Sequence, residues 1–217
     1  MLKKLSDEKI VQILETGIAE FAANGLDRAN INVIAKKSGV SVGVLYKYYK
    51  DKEDFFLACL AHSLETLRKE ISDAVSGDYK LLKRAEKLIR AVQRTAREHS
   101  IYNIMYNEIT AGASQKYAQL LARKIEGISS EVYVRFIEEA KAAGEIREDI
   151  DPKMFAFFFD NLLLTLQFSY SCDYYRERFK IFCGEDILDD DEKVVSELLK
   201  FIESAFTFKQ SEIKHKG

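Results

Sequence analysis

The sequence predicts an all-α protein of about nine helices, and three observations lead to this fold class. The chain has one proline and ten glycines in 217 residues, too few turn-forming residues for a many-stranded β fold. Hydrophobic residues make up 47% of the chain, which excludes a disordered protein and is enough for a buried core. Apolar residues recur at the three- and four-residue spacing of amphipathic helices along most of the chain.

The first predicted helix begins after Ser6 and ends near Gly25. Ser6 is a typical N-cap, the acidic residues Asp7 and Glu8 suit the first turn, and glycine suits a helix end. The apolar stripe between these signals consists of Ile10, Ile13, Leu14, Gly17, Ile18, Phe21 and Ala22.

Two short helices separated by a tight turn follow the first helix. The second begins after Asn30 and ends near Lys37, whose charge suits a helix C-terminus. Gly39 marks the turn, and Ser41 can cap a third helix over residues 42–49. Two short helices around a short turn that contains glycine form the helix-turn-helix pattern.

The fourth predicted helix, over residues 52–75, is long enough to connect two bodies. Asp151 followed by Pro152 predicts another helix start, because proline fits the first helical position. Further helical patterns occupy residues 81–99, 101–109, 115–143, 154–182 and 192–208. We therefore predict a small DNA-binding domain at 1–52 and a larger helical domain at 53–217.

Composition also limits the environment of the protein. The three cysteines are far apart and lack metal-ligand spacing, which argues against a disulfide framework or a thiolate zinc site. The amino terminus lacks the apolar core of a secretory signal. The most apolar stretch, residues 154–170, contains Asp160 and is shorter than the about 20 residues that cross a bilayer. We expect a cytoplasmic protein with no membrane partner.

Positive charge is concentrated in the helix-turn-helix segment. Residues 26–52 contain six basic and two acidic side chains, a net charge of +4 in a chain whose total is −2. A basic head on an otherwise acidic body is typical of nucleic-acid binding through phosphates.

The third predicted helix supplies the chemistry for such contacts. Leu45 and Tyr49, four residues apart, can pack this helix on the first two, which leaves Tyr46, Lys47 and Tyr48 on its outer surface. Tyrosine hydroxyls can donate hydrogen bonds to phosphates, and lysines can pair with them; the other interpretation is that both tyrosines are core aromatics. The predicted DNA-binding residues are Asn30, Ser41, Val42, Gly43, Val44, Tyr46, Lys47, Tyr48 and Lys52.

Residues 33–56 resemble the DNA-binding signature of the tetracycline-repressor (TetR) family. That signature is an Ile-Ala pair, a Gly-Val-Ser turn, Gly-x-Leu-Tyr-x-Tyr-aromatic and a Lys-x-Glu/Asp-x-Leu/Phe segment. It corresponds here to Ile34-Ala35, Gly39-Val40-Ser41, Gly43-Val44-Leu45-Tyr46-Lys47-Tyr48-Tyr49 and Lys52-Glu53-Asp54-Phe55. Val42 and Val44 depart from the family's usual residues, and the resemblance covers about residues 6–56.

The resemblance implies a transcriptional regulator, usually a repressor. A homodimer would bind a palindromic operator in double-stranded DNA through its two heads, and a small-molecule effector in the larger domain would change the separation of the heads. It places the dimer interface on the last two predicted helices. The residues predicted for that interface, from one apolar stripe of the last helix, are Val195, Leu198, Leu199, Phe201, Ile202 and Phe206.

The larger domain is rich in aromatic residues, which indicate core packing, an oligomer interface or an apolar cavity. We predict an effector site at Tyr102, Met105, Tyr106, Phe155, Phe159, Asp160 and Leu163. An Asp160 or Glu108 that lines the cavity without a cationic partner would favour a lipophilic cation. Otherwise the cavity is neutral, and we prefer a lipid-like or aromatic effector because phenylalanines outnumber the acids.

No sequence motif of an enzyme accompanies these features. The chain has no HExxH, no GxSxG elbow and no phosphate-binding glycine loop, so we expect no catalytic residues and no cofactor. His62, His99 and His215 are not at metal-ligand spacing, and a site at His99 with Glu98 and Glu108 is less favoured than a helix-capping histidine. The alternative function is an all-helical enzyme or interaction module whose head only resembles a DNA-binding domain.

Overall fold

In the computed structural model, residues 5–75, 77, 80–112 and 115–207 are described, and within these ranges every regular element is helical. The all-α prediction is therefore confirmed. Two positions discussed above, Phe208 and His215, lie outside the described residues. The α-helices are α1 (Asp7–Arg28), α2 (Ile31–Lys37), α3 (Val42–Tyr48), α4 (Lys52–Val75), α5 (Leu81–Glu98), α6 (Ser100–Gly112), α7 (Gln115–Ala142), α8 (Pro152–Ser171), α9 (Asp173–Cys183) and α10 (Asp191–Thr207), with a 3-10 helix at Glu185–Asp189.

The described ranges hold one α-helix more than the sequence predicts, because the segment at 154–182 is divided. Cys172 adopts an extended conformation between α8 and α9, with φ −113° and ψ 130°. The Arg176 guanidinium donates a hydrogen bond to the Tyr170 carbonyl at 2.9 Å and so satisfies a carbonyl at the end of α8. Neither glycine nor proline marks this break.

The first helix continues three residues beyond its predicted end. Gly25 has a φ of 67°, which glycine adopts without steric cost, and the helix is kinked there before ending at Arg28. Ala29 donates its backbone N–H to the Gly25 carbonyl at 3.2 Å and closes this turn.

One hydrophobic core joins helices α1–α3, here called the head, to helices α4 and α6 of the larger domain. It contains apolar residues of α1, α2 and α3, such as Phe21, Ile34 and Leu45. It also contains Phe55, Phe56, Cys59 and Leu60 of α4 and Tyr102, Met105 and Ile109 of α6. The head is therefore completed by two helices of the larger domain.

Helices α1 and α4 approach each other closely at Gly17. A Cβ atom at this position would lie 2.6 Å from the Phe55 ring and 2.7 Å from the Cys59 sulfur, closer than van der Waals contact allows. Only a residue without a side chain permits this packing.

A second core lies in the larger domain between α5, α7, α8 and α10. It includes Leu88 and Ile89 of α5, Ile137 of α7, Leu163 of α8 and Ile202 of α10. Within the described part of the chain, none of the helices combines the length and apolar character that crossing a bilayer requires.

Candidate DNA-binding surface and ligand cavity

Side-chain caps fix both helices of the helix-turn-helix. The Asn30 side chain accepts a hydrogen bond from the Asn32 N–H at 2.9 Å, and the Ser41 hydroxyl accepts one from the Val44 N–H at 3.3 Å. Gly39 has a φ of 65° in the turn between them, a conformation that favours glycine. Asn30 and Ser41 thus have capping roles, which position the start of each helix.

A buried carboxylate also ties α1 to α2. Glu20 is buried, and its Oε1 accepts hydrogen bonds from the Asn30 N–H at 3.2 Å and from the Asn24 amide at 3.1 Å. The Lys37 ammonium lies 3.7 Å from the other carboxylate oxygen. Sequence reasoning missed Glu20, although its position beside Phe21 in the apolar stripe was a signal.

Helix α3 has one inner and one outer face. Leu45 is buried, and the half-buried Tyr49 ring lies 4.8 Å from the ring of Phe55. Gly43 and Lys47 are exposed, and Tyr46 retains 46% of its surface. Val42 and Val44 are half-buried, and Val42 packs partly against the head core. The outer face is therefore small, apolar at two positions and positively charged at one.

Tyr48 and Lys52 have partners within the head. The half-buried Tyr48 hydroxyl accepts a hydrogen bond from the Leu5 N–H at 2.7 Å, which leaves its own proton available to donate. The Lys52 ammonium donates to the Asp27 and Ala29 carbonyls at 2.9 and 3.3 Å. Lys52 therefore holds the end of α1 against the start of α4, a structural role that the sequence analysis did not assign.

The larger domain contains a cavity of about 390 Å³ between α4, α6, α7 and α8. Most of its wall is aliphatic, as is usual for sites that bind small molecules. The aliphatic lining includes Leu60, Leu64, Leu67, Ile71, Ile125, Val132, Leu163 and Leu164.

Three of the predicted effector residues, Tyr106, Asp160 and Leu163, line this cavity. The other four lie outside the lining of this cavity. Tyr102 and Met105 belong to the head core, because they lie on the face of α6 that packs on α1. Phe159 packs between Tyr133 and Phe136 in the second core, and the Phe155 ring lies 5.4 Å from that of Phe206.

Polar side chains also line the cavity. The Tyr106 hydroxyl donates a hydrogen bond to Glu126 at 2.6 Å. Asp160 also lines the cavity and, within the described chain, makes neither a hydrogen bond nor an ion pair. Gln167 donates its amide to Asn103 at 2.7 Å. Glu108, the other acid considered above, lies against Gly25 instead.

Burial, together with neighbouring acids, raises the pKa values of Asp160, Tyr106 and Tyr133 at this wall. Burial, and secondarily the Glu126 carboxylate, raise the pKa of Asp160 from 3.8 to about 6. Burial and the two nearby acids raise the pKa of Tyr133 well above its usual value, and burial with the Glu126 hydrogen bond does the same for Tyr106. The two acidic side chains therefore lack a positive charge to offset them.

The cations at the cavity lie on its exposed rim. Arg68 pairs with Glu65 at 2.6 Å, and both side chains are well exposed. Lys124 and Arg135 are also exposed, and neither forms an ion pair within the described residues. Water screens such rim charges from the inner wall.

Helix α10 does not present its whole apolar stripe to solvent. Val195, Ile202 and Phe206, which were predicted at a dimer interface, are buried in the second core of the same chain and offer almost no surface to a partner. Leu198 and Leu199 are half-buried, whereas Phe201 is 59% exposed. The second core therefore covers one side of the predicted apolar stripe, and the side with Phe201 remains exposed.

Helix α8 carries a further exposed apolar face. Met154, Phe157 and Phe158 are all exposed, and the rings of the two phenylalanines are 5.9 Å apart. A soluble monomer rarely exposes several large apolar side chains together.

A polar contact joins α1, α4 and α6 near the cavity. The Glu15 carboxylate of α1 accepts a hydrogen bond from Tyr102 and lies 2.8 Å from the His62 ring nitrogen of α4. His99 caps the end of α5 and stacks on Tyr102 at 5.0 Å. Among the described residues, no group of three or more potential ligands could hold a metal ion.

Comparisons with known proteins match both the head and the overall fold. The model of the family "Bacterial regulatory proteins, tetR family" matches residues 13–59. A fatty acid metabolism regulator protein of Bacillus subtilis is 23% identical over 150 residues, 67% of this chain and 75% of that protein. A putative TetR-family regulator from Rhodococcus sp. has a similar structure, with a TM-score of 0.70 at 24% identity, over 93% of this chain and 100% of that one.

The Bacillus subtilis regulator FadR, solved in complex with stearoyl-CoA, is also similar in structure. Its TM-score is 0.70 at 18% identity, and the match covers 88% of this chain and 97% of that one. At this identity the similarity demonstrates a shared fold.

The capped helix pair, its basic outer face and these matches define a helix-turn-helix transcriptional regulator that binds DNA. Residues 13–59 thus carry the DNA-binding domain of the tetR family, and the chain has the fold of a TetR-family regulator.

Proposed function

We propose that the protein is a homodimeric repressor whose affinity for a palindromic operator falls when a small, largely apolar effector occupies the cavity. The observation that carries this proposal is that Leu60 and Leu67 of α4 belong to the head core and also line the cavity. A ligand that moves Leu60 therefore acts directly on the packing of the head.

DNA contacts of the proposed complex come from the outer face of α3. Lys47 neutralises a phosphate, and the free protons of Tyr46 and Tyr48 donate to phosphates. Val42 and Val44 offer apolar contact in the major groove, which favours thymine methyl groups over hydrogen-bonded guanine. Two heads about 34–36 Å apart would read the two half-sites of a palindrome.

The proposed dimer uses the outward face of α8 and α10. Phe157, Phe158 and Phe201 are the exposed aromatic residues of these helices, and a dimer contact would remove their remaining apolar surface from water. Such self-complementary apolar contacts are typical of two-fold homodimers. Leu198 lies beside Phe201 and extends this face toward solvent.

The proposed effector has a substantial apolar part. The aliphatic cavity wall supports this, and so does the stearoyl-CoA bound by the structurally similar FadR. Entry of an acyl or alkyl chain between α4 and α6 would spread two helices that also complete the head core.

Coupling between cavity and head has a structural route on both helices. On α4, Leu60 contacts the head core, and the following turns, from Leu64 to Ile71, line the cavity. On α6, Tyr106 lines the cavity while Tyr102, one turn earlier, packs in the head core. A displacement of either helix by a ligand therefore reaches α1.

The test starts from DNA fragments of the source genome selected by the purified full chain. We expect the selected fragments to share a palindrome, and the logarithm of the binding constant to fall linearly with the logarithm of the salt concentration. Addition of octanoyl or longer acyl compounds, or of other alkyl amphiphiles, should release the DNA. Binding that is independent of salt would favour the alternative enzyme or interaction module. If binding depends on salt but no amphiphile changes it, the protein binds DNA and the proposed control by an effector is refuted.

A further inference from the structure

We propose that the cavity recognises the protonated amine of an aliphatic effector, held by the wall that Asp160, Glu126 and Tyr133 form. This inference rests on the proposed function, because it specifies the polar group of the same effector. It replaces the preference for a neutral or lipid-like polar group that the sequence alone favoured.

The first support is the charge of the inner wall. Asp160 and Glu126 both line the cavity, whose charged residues also include the exposed Arg68, Lys124 and Arg135, and within the described chain neither acid forms an ion pair. An isolated carboxylate in an apolar environment is costly unless it is paired. A cation from outside the chain would supply the missing partner.

The second support is the side chain of Tyr133, which lines the same cavity as the two acids. Only 4% of its surface is exposed, and its hydroxyl makes no hydrogen bond within the described residues. A hydroxyl oxygen without a partner in the chain can accept a hydrogen bond from a ligand in the cavity.

The geometry of acceptors favours an amine with N–H groups. Glu126 receives one hydrogen bond from Tyr106 and retains further lone pairs, Asp160 retains all of its own, and Tyr133 offers one oxygen. An alkylammonium group carries three donors on one small charge, whereas a quaternary ammonium carries none. The tyrosine rings add a favourable face for a cation.

Other polar groups fit this wall less well. A carboxylate would add a third negative charge beside Asp160 and Glu126. A divalent metal ion needs more ligands than these side chains provide, and no group of three potential ligands occurs among the described residues. The rim cations Lys124 and Arg135 are the competing site for an anionic head group, and the experiment compares the two.

The experiment measures binding of three probes with one chain length, octylamine, octanol and octanoate, to the full chain by calorimetry at neutral pH. We expect octylamine, which is protonated there, to bind most tightly. Asp160→Asn should lower the affinity for octylamine by about tenfold or more, because a charge-assisted hydrogen bond is lost, and Tyr133→Phe should lower it by about fivefold. Neither change should weaken octanol to this degree.

Two controls accompany these variants. Asp189→Asn removes an exposed aspartate outside the cavity and should leave octylamine binding unchanged. Circular dichroism verifies the fold of each variant, and Glu126→Gln replaces Asp160→Asn if that variant does not fold.

Equal or tighter binding of octanoate or octanol, or unchanged octylamine affinity in Asp160→Asn, would overturn the inference. Operator release by octanoate or octanol in the same preparation would then leave the proposed function standing. Binding of none of the three probes would refute the amine site, and the absence of operator release by any amphiphile would refute effector control as well.

Discussion

The Tyr102 hydroxyl of α6 donates a hydrogen bond to the Glu15 carboxylate of α1, and this contact joins the larger domain to the head. His62 of α4 approaches the same carboxylate oxygen at 2.8 Å. Side chains of α4 and α6 thus meet at one carboxylate oxygen of α1.

Tyr102→Phe removes the donor and leaves the ring in place. We expect a loss of about 1–2 kcal/mol in the free energy of unfolding, because a partly buried carboxylate loses a partner. We also expect a smaller effect of any effector on operator affinity. Chemical denaturation and DNA titrations with and without effector measure the two quantities, and an unchanged effector response would separate this contact from the coupling.

Lys47→Ala and Lys52→Ala should differ, although both remove a lysine near the DNA-binding surface. Lys47 is exposed and makes no hydrogen bond or ion pair within the described chain. Its loss should therefore weaken binding to all DNA sequences alike and reduce the slope of log affinity against log salt concentration by about 1. Lys52→Ala should in addition destabilise the head, since its ammonium bonds two carbonyls at the end of α1. Fluorescence anisotropy over a salt series, with melting curves, distinguishes the variants.

Gly43→Leu should prevent docking on DNA and preserve the fold. A Cβ at Gly43 would meet only the Ser41 hydroxyl, at 3.9 Å, so the head has room for a side chain there. In the proposed complex this position faces the major groove, where a leucine would separate α3 from the bases. An unchanged melting temperature with lost operator binding is the expected result, and full binding would place the groove contact elsewhere.

Phe201→Glu and Ile202→Glu test the dimer with neighbouring positions. Phe201 is exposed, so a charge there should give folded monomers by opposing burial in the proposed interface. Ile202 is 1% exposed in the core of its own protomer, so the same change should unfold the chain. Sedimentation and circular dichroism report the two outcomes. A stable wild-type monomer at micromolar concentration would contradict the dimer.

Asp160→Asn should stabilise the protein in a pH-dependent way. The folded chain binds the Asp160 proton more tightly than the unfolded chain, because burial and Glu126 raise the pKa from 3.8 to about 6. Wild-type stability therefore decreases as the pH rises from about 4 to about 6, and stays lower above that range. After allowance for solvent screening, the variant should gain about 1–2 kcal/mol at neutral pH and nothing below about pH 4. Thermal melts across this range measure it.

Sequence patterns predicted the head well because its signals are local. Ser6 and Ser41 cap α1 and α3 as expected, α2 begins after Asn30 as expected, and the Leu45 and Tyr49 spacing identified the inner face of α3. Tertiary packing decided the rest. An apolar helix face does not reveal which neighbour covers it, so Met105 was assigned to a cavity and packs in the head core instead.

The same limit applies to the end of the chain and to α8. Val195 and Phe201 share one broad apolar stripe, and only the position of α5 shows that the first is internal and the second exposed. The break at Cys172 has no glycine or proline signal, and the Arg176 contact that supports it depends on the folded arrangement.

The shared position of Leu60 bears on how such regulators can be recombined. A chain divided after residue 52 would separate α1–α3 from Phe55, Phe56 and Leu60, and would expose the hydrophobic surface that they cover. A head transferred to another regulator should therefore include α4 as far as Leu60. The α6 of the recipient must also carry side chains that pack against this head. Chimeras joined at Lys52 should aggregate, whereas those joined beyond Leu60 with Tyr102, Met105 and Ile109 retained should fold and keep the operator specificity of the donor.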